Sequence, residues 1–307
     1  MTSPPNQRPG RQRGFTLVEA IVVMVVTAIL AGTTVMFIRR PVQSYVDNAA
    51  RADMGDVAEL ALRRMARELH TALPNSIRLS VAGNLSLLEF IPTKAGGLYL
   101  AVEDNAGPNS LSFTQANRLS FDIVGPVPSG AYAIAVGDSI VVYNLGAGFV
   151  DADAYANVGG NRATVTAVNG STIGFVDPYA ANNNPFANAF NAAPTPRVPN
   201  TSPDHRFNVA TTPVTFACVN DAAGRGTLTR YWNYGFQAAQ IDPSTVANVS
   251  RALMGSNVLG CQFTVAAAAN QHTGLIGMSI SLARPAPGNA ALETVTLAHQ
   301  IHVNNTP

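Results

Sequence analysis

The sequence predicts an α+β protein, with one long N-terminal helix packed on an antiparallel β-sheet domain. Three observations carry this expectation. An almost uncharged run opens the chain, an apolar repeat at three- and four-residue steps comes next, and short apolar segments separated by turn residues fill the remainder. Hydrophobic residues make up 47% of the 307 positions and charged residues 12%, which excludes a disordered chain. Lys+Arg at 19 against Asp+Glu at 18 gives a formal net charge of +1. No positive excess exists to neutralise phosphates, so nucleic acid is not an expected partner. Only 2 cysteines are present, which excludes a disulfide-dense scaffold. A mean hydropathy of +0.14 points to a membrane segment.

That segment is Phe15–Ile38, whose one charge is Glu19. As a helix it would span about 36 Å, enough for a hydrocarbon core of about 30 Å. Before it lies a polar leader, Met1–Gly14, with Arg8, Arg11 and Arg13 and no acid. Three readings compete. A cleaved secretory signal would have an apolar region of about 7–15 residues and a small-x-small cut site, and this run is longer. A plain signal anchor is the second reading. The third rests on the junction Gly14-Phe15-Thr16-Leu17-Val18-Glu19 behind a short basic leader. This junction resembles the type IV prepilin signal shared by pilins and the pseudopilins of type II secretion.

The resemblance implies that a membrane peptidase cuts between Gly14 and Phe15 and methylates the new amino terminus at Phe15. The apolar span is then retained. A carboxylate within a membrane span is costly and is read as functional, with a partner to be named. The resemblance supplies that partner for Glu19: the terminal amine of a neighbouring subunit. The plainer alternative is that Glu19 reaches the headgroups. Basic residues do not decide orientation, because Arg39, Arg40 and Arg51 balance the leader arginines.

The domain boundaries expected are a leader at 1–14, a transmembrane helix at 15–40, an amphipathic helix at 41–73 and a β domain at 74–307. Pro41 can kink the helix or restart it, and Gly32-Thr33-Thr34 is poor in helix propensity. Val42, Tyr45, Val46, Ala49, Val57, Leu60, Met65, Leu69 and Leu73 mark the expected buried stripe. Glu59 with Arg63, and Arg64 with Glu68, are favourable i,i+4 pairs.

Beyond Pro74 the expected strands are 76–81, 84–91, 97–103, 118–124, 132–136, 139–144, 163–168, 171–176, 213–218, 226–232, 258–265, 275–282 and 292–303. Asn169-Gly170 is the strongest hairpin signal among their turns. Hairpins imply antiparallel pairing and not a nucleotide-binding parallel sheet. The stretch Tyr179–Asn208, rich in Asn, Ala and Pro, reads as a long surface loop.

No catalytic motif is found: there is no Gly-x-Ser-x-Gly, no phosphate loop ending in Lys and no His-Glu-x-x-His. His299 and His302 fall on opposite faces of one strand. The pairs Glu103-Asp104 and Asp151 with Asp153 read as solvated loop acids lacking a fuller ligand set. The chain is therefore not expected to be an enzyme or to hold a metal or cofactor. Cys218 and Cys261 each fall in a candidate strand. Outside the cytoplasm such a pair is expected to form a bridge, with two buried thiols as the alternative.

Further stretches sharpen the resemblance: Val136-Gly137-Asp138 with Ile140–Gly146, Asn161–Val165, Pro213–Cys218, Gly226–Trp232 and His299–Val303. With the membrane start they resemble the MshO-type biogenesis proteins of mannose-sensitive haemagglutinin (MSHA) pili. They are similar, more distantly, to the J-type minor pseudopilins of type II secretion. This implies a minor pilin or pseudopilin that starts, primes or caps a filament at the bacterial inner membrane, with its β domain in the periplasm. The implied partners are other major and minor pilin subunits, the prepilin peptidase/methyltransferase, the inner-membrane assembly platform and membrane lipid. A tip subunit that binds through its β-domain loops is a second reading.

Overall fold

A computed structural model describes residues 14–102, 107–149, 151–157, 161–180, 182–187, 201–266, 273–285 and 291–307. Helix α1 runs Leu17–Leu69, with Pro41 inside it. The chain divides into two compact units, Met1–Asp53 and Met54–Pro307. The α+β class is observed: the long helix is succeeded by antiparallel sheets.

In the second unit, the last turns of α1 lie on a seven-stranded antiparallel sheet. Its strands are β1 (Arg78–Ala82), β2 (Leu85–Phe90), β9 (Val214–Val219), β10 (Gly226–Trp232), β11 (Ser250–Ala266), β12 (Thr273–Pro285) and β13 (Leu292–Asn304), adjacent in that order. Met54, Ala58, Leu62, Met65 and Leu69 recur on one helix face and are buried against Leu88, Phe90, Phe216, Leu228 and Ile280. The expected stripe is thus corrected. Val42, Tyr45, Val46 and Leu60 are exposed, as is Ala49. Met65 and Leu69 of the expected stripe do face the core, with Val57 packed against it, and the core-facing side further uses Met54, Ala58, Ala61 and Leu62. The helix also ends at Leu69, not at Leu73. Beyond it the backbone pairs elsewhere: Leu73 N donates to the Ile91 carbonyl at 2.7 Å, and Thr93 N donates to that of Thr71 at 2.8 Å.

The other six strands close into a barrel in the order β3-β4-β7-β6-β5-β8. They are β3 (Thr93–Tyr99), β4 (Ser120–Val124), β5 (Ser139–Val141), β6 (Arg162–Asn169), β7 (Thr172–Val176) and β8 (Arg206–Ala210). The barrel has its own core around Phe121, Phe175 and Phe207, with the Phe121 and Phe207 ring centroids 5.2 Å apart. The Asn169-Gly170 turn joins β6 to β7 as expected. Three sequence readings fail here. Residues 132–136 form no strand, because the Asp138 carboxylate accepts from Ala135 N at 2.7 Å and folds the segment into a turn. The third strand is 93–99 and not 97–103, of which Glu103 lies outside the described residues. Strand β8 lies partly within the segment read as a loop: its alternation of Phe207 and Val209 was hidden by the Asn- and Pro-rich context.

The barrel is an insertion. Strands β2 and β9 pair directly, with Phe90 opposite Val214. The chain leaves and re-enters at neighbouring positions, since Thr93 lies opposite Ala210. Everything between is a detour from one hairpin. We therefore expect that replacing residues 92–212 by an Asn-Gly turn leaves the sheet folded. Circular dichroism and a cooperative thermal transition check this; loss of both would show that the sheet needs the barrel.

The insertion is tied down by a polar seam. The Arg78 guanidinium lies 3.6 Å from the Tyr155 ring centroid, and that of Arg162 lies 3.7 Å from the ring of Phe236. Tyr155 donates its hydroxyl to the Ser76 carbonyl at 3.0 Å. Glu89, 1% exposed, accepts from Arg78 Nε at 2.6 Å and from the Tyr234 hydroxyl at 2.8 Å. Burial, and then the Glu89 charge, pushes both tyrosines far above the ordinary phenol range, so they remain protonated donors.

Candidate assembly site at the start of the long helix

The site is built from the first helical turn. Gly14, Phe15 and Thr16 precede α1 without helical structure. Thr16 Oγ1 accepts from Glu19 N at 3.3 Å, and the Thr16 carbonyl accepts from Ala20 N at 3.1 Å. Thr16 therefore caps the helix. Thr16-x-x-Glu19 has the spacing of a capping box, a signal that the sequence carries and that the apolar pattern overshadows. It places Glu19 in the first turn, where unpaired backbone N–H groups favour a carboxylate. Phe15 is 82% exposed, and the Gly14-Phe15 junction lies just ahead of the helix.

The apolar run beyond this turn is accessible all round. Ile21, Val26, Ile29 and Phe37 are exposed, and none of its most apolar window is buried. Its hydroxyls are nevertheless satisfied within the helix. Thr27 donates to the Val23 carbonyl at 2.7 Å, and Thr33 and Thr34 donate to that of Leu30 at 3.0 and 2.7 Å. Such back-bonding removes the cost of placing a hydroxyl in lipid. Pro41 and Gly32-Thr33-Thr34 all remain helical. The helix fits a single-pass membrane anchor by length and composition. The leader arginines lie outside the described residues.

Residues 9–35 match a family model described as the prokaryotic N-terminal methylation motif. The start of the chain is prepilin-like. The motif brackets the Gly14-Phe15 junction and Glu19, and it supports a subunit of the type IV pilin or pseudopilin kind. Proteins that carry this prepilin motif are processed by a prepilin peptidase and assemble with other pilin subunits; their role is structural. The match stops inside α1, so the sheet and the barrel lie outside it. No curated protein and no solved structure matches the chain.

The remaining sequence candidates fall elsewhere. Cys218 on β9 and Cys261 on β11 are joined in a disulfide with Cα atoms 6.2 Å apart. These strands are not neighbours, since β10 lies between them. They converge where β10 begins. A side chain on Gly226 would meet the Val219 and Val258 carbonyl oxygens at 2.1 and 2.5 Å, so only glycine fits there. Asn220 Oδ1 accepts from Cys261 N at 2.9 Å at the same place. His299 faces inward, 3.0 Å from a Glu59 oxygen, while His302 is exposed on the opposite face. The hydrogen bond from Arg63 holds the Glu59 carboxyl below its usual range; burial opposes it, and the charges of Arg63 and His299 add to the lowering. Asp153 accepts from Tyr155 N at 2.9 Å, which assigns it to a turn. No group of three or more metal-ligating side chains occurs among the described residues. Glu103, Asp104 and most of the Asn-rich stretch 179–208 lie outside them.

Proposed function

We propose that this protein is a minor pilin or pseudopilin that starts, primes or caps a filament at the bacterial inner membrane. The single observation that carries the reading is the prepilin motif on a helix whose apolar run is exposed among the described residues. Such a surface requires lipid before assembly and neighbouring helices afterwards. Cleavage after Gly14 would create the terminal amine on Phe15. Glu19 would then receive that amine from a neighbouring subunit, and the pairing of two charges in a low dielectric would set the subunit register. The MSHA-like pilus is favoured over a type II secretion pseudopilus by the sequence stretches of the β domain. The folded unit and the Cys218–Cys261 bridge suit a periplasmic setting.

A tip subunit is a second reading, favoured by the inserted barrel. A binding module carried on one hairpin can vary without disturbing the sheet beneath it.

The test of the main reading is intact mass after expression with and without an active prepilin peptidase. We expect loss of Met1–Gly14 and gain of one methyl group only with the peptidase. An unchanged mass with an enzyme active on its own substrate would overturn it.

A further inference from the structure

We propose that a crevice beside the end of α1 binds a hydroxylated carboxylate of monosaccharide size, the chemistry of a hexuronic acid. The crevice has a volume of about 320 Å³ and lies within the second unit, among the last turn of α1, the entry and exit of the barrel, and β10. That size falls at the lower end of small-ligand sites.

Arg230 supplies the anion-binding group. Its Nε is held by Glu68 at 2.7 Å, and its guanidinium lies 4.6 Å from the Trp232 ring centroid. The side chain is only 17% exposed. These contacts fix the guanidinium, yet its two terminal nitrogens donate to no residue among those described. A planar fork held in place with its outer N–H groups unfilled is matched by a carboxylate, which accepts two parallel hydrogen bonds. Glu68 does not cancel this charge. Its other oxygen takes Arg64 at 3.1 Å, so two guanidinium groups share one carboxylate.

The rest of the lining selects hydroxyls. The Thr71 hydroxyl donates to the Glu68 carbonyl at 2.7 Å, and that of Thr211 donates to the Pro92 carbonyl at 3.4 Å. Their protons are committed, so their oxygens are left to accept from a ligand. Thr212 and Asn233 add a further pair of polar groups on the same wall. Trp232 also lines the crevice and adds apolar surface beside Arg230. A simple anion would satisfy Arg230 and leave these groups unused.

The chain has 1 tryptophan, so its fluorescence reports on this crevice without a label. The full chain in detergent is titrated with sodium glucuronate, and in parallel with glucose and with sodium acetate. We expect a saturable change with glucuronate at a Kd of about 1 mM, and binding at least about tenfold weaker for each control. Arg230→Lys keeps the charge and loses the fork, and should weaken glucuronate about tenfold or more. Thr212→Val leaves the Glu68–Arg230 pair in place and should weaken glucuronate as well, which keeps the test decisive if Arg230→Lys melts early. No saturable change with glucuronate overturns the proposal. So does an equal response to acetate, which would mean anion binding alone, or to glucose, which would mean that the carboxylate is not read.

Discussion

Replacing Glu19 by Ala should remove the protein from filaments while leaving it processed and in the membrane. Glu19 sits in the first turn of α1 beside the exposed Phe15. In the proposed assembly it meets the amine of a neighbouring subunit. A charge-assisted contact of this kind contributes about 1.5–3 kcal/mol, or roughly 10- to 150-fold in the partition between membrane and filament. The substitution also removes the cost of holding a carboxylate in lipid, which further favours the membrane pool. Sheared filaments and membranes, probed for the tagged chain, give the ratio directly. Glu19→Gln separates charge from length and should fail nearly as badly as Ala. Wild-type incorporation of Glu19→Ala would sink the assembly role, whatever the mass measurement says about Gly14.

The second large effect is expected from the disulfide. Cys218 and Cys261 enclose a loop with a sequence separation of 43. Closing a loop of that length restricts the unfolded chain by about 4 kcal/mol in the chain-entropy model, a large part of the stability of an ordinary domain. The double substitution Cys218→Ala/Cys261→Ala should lower the urea midpoint accordingly, with a steeper slope because the freed unfolded chain exposes more surface. The loss should be cooperative across the sheet, because the bridge joins β9 and β11 across the start of β10. An unfolding free energy within about 0.5 kcal/mol of wild type would show that Asn220, which also holds the two strands together, suffices.

Residues 14–19 illustrate how much of the candidate site was legible in sequence. Its parts are contiguous, and each acts through local chemistry: the glycine junction, the carboxylate and the apolar run were read directly, whereas the Thr16 cap was overlooked beside the apolar pattern. The same locality made β10 readable to the residue and placed the Asn169-Gly170 hairpin correctly. The amphipathic stripe was less legible. Exposed Tyr45, Val46 and Leu60 have the same spacing as a buried face, and only the facing sheet tells them apart from Met54, Leu62 and Met65. Strand β8 was missed for a related reason: a five-residue strand gains its stability from β3 and β5 on either side, not from its own sequence.

By itself, then, the sequence determined the long apolar helix, its prepilin-like start and the antiparallel character of the strands beyond Pro74. These depend on period, cap and turn, which act within a few residues. Tertiary structure alone decided that the strands form two bodies, a sheet and a barrel threaded into one of its hairpins. It alone brought Arg230 and Trp232 beside Glu68, at the far end of a helix more than a hundred positions earlier in the chain. Those arrangements rest on pairing between distant strands, whose energy comes from desolvating surfaces that no local window of sequence contains.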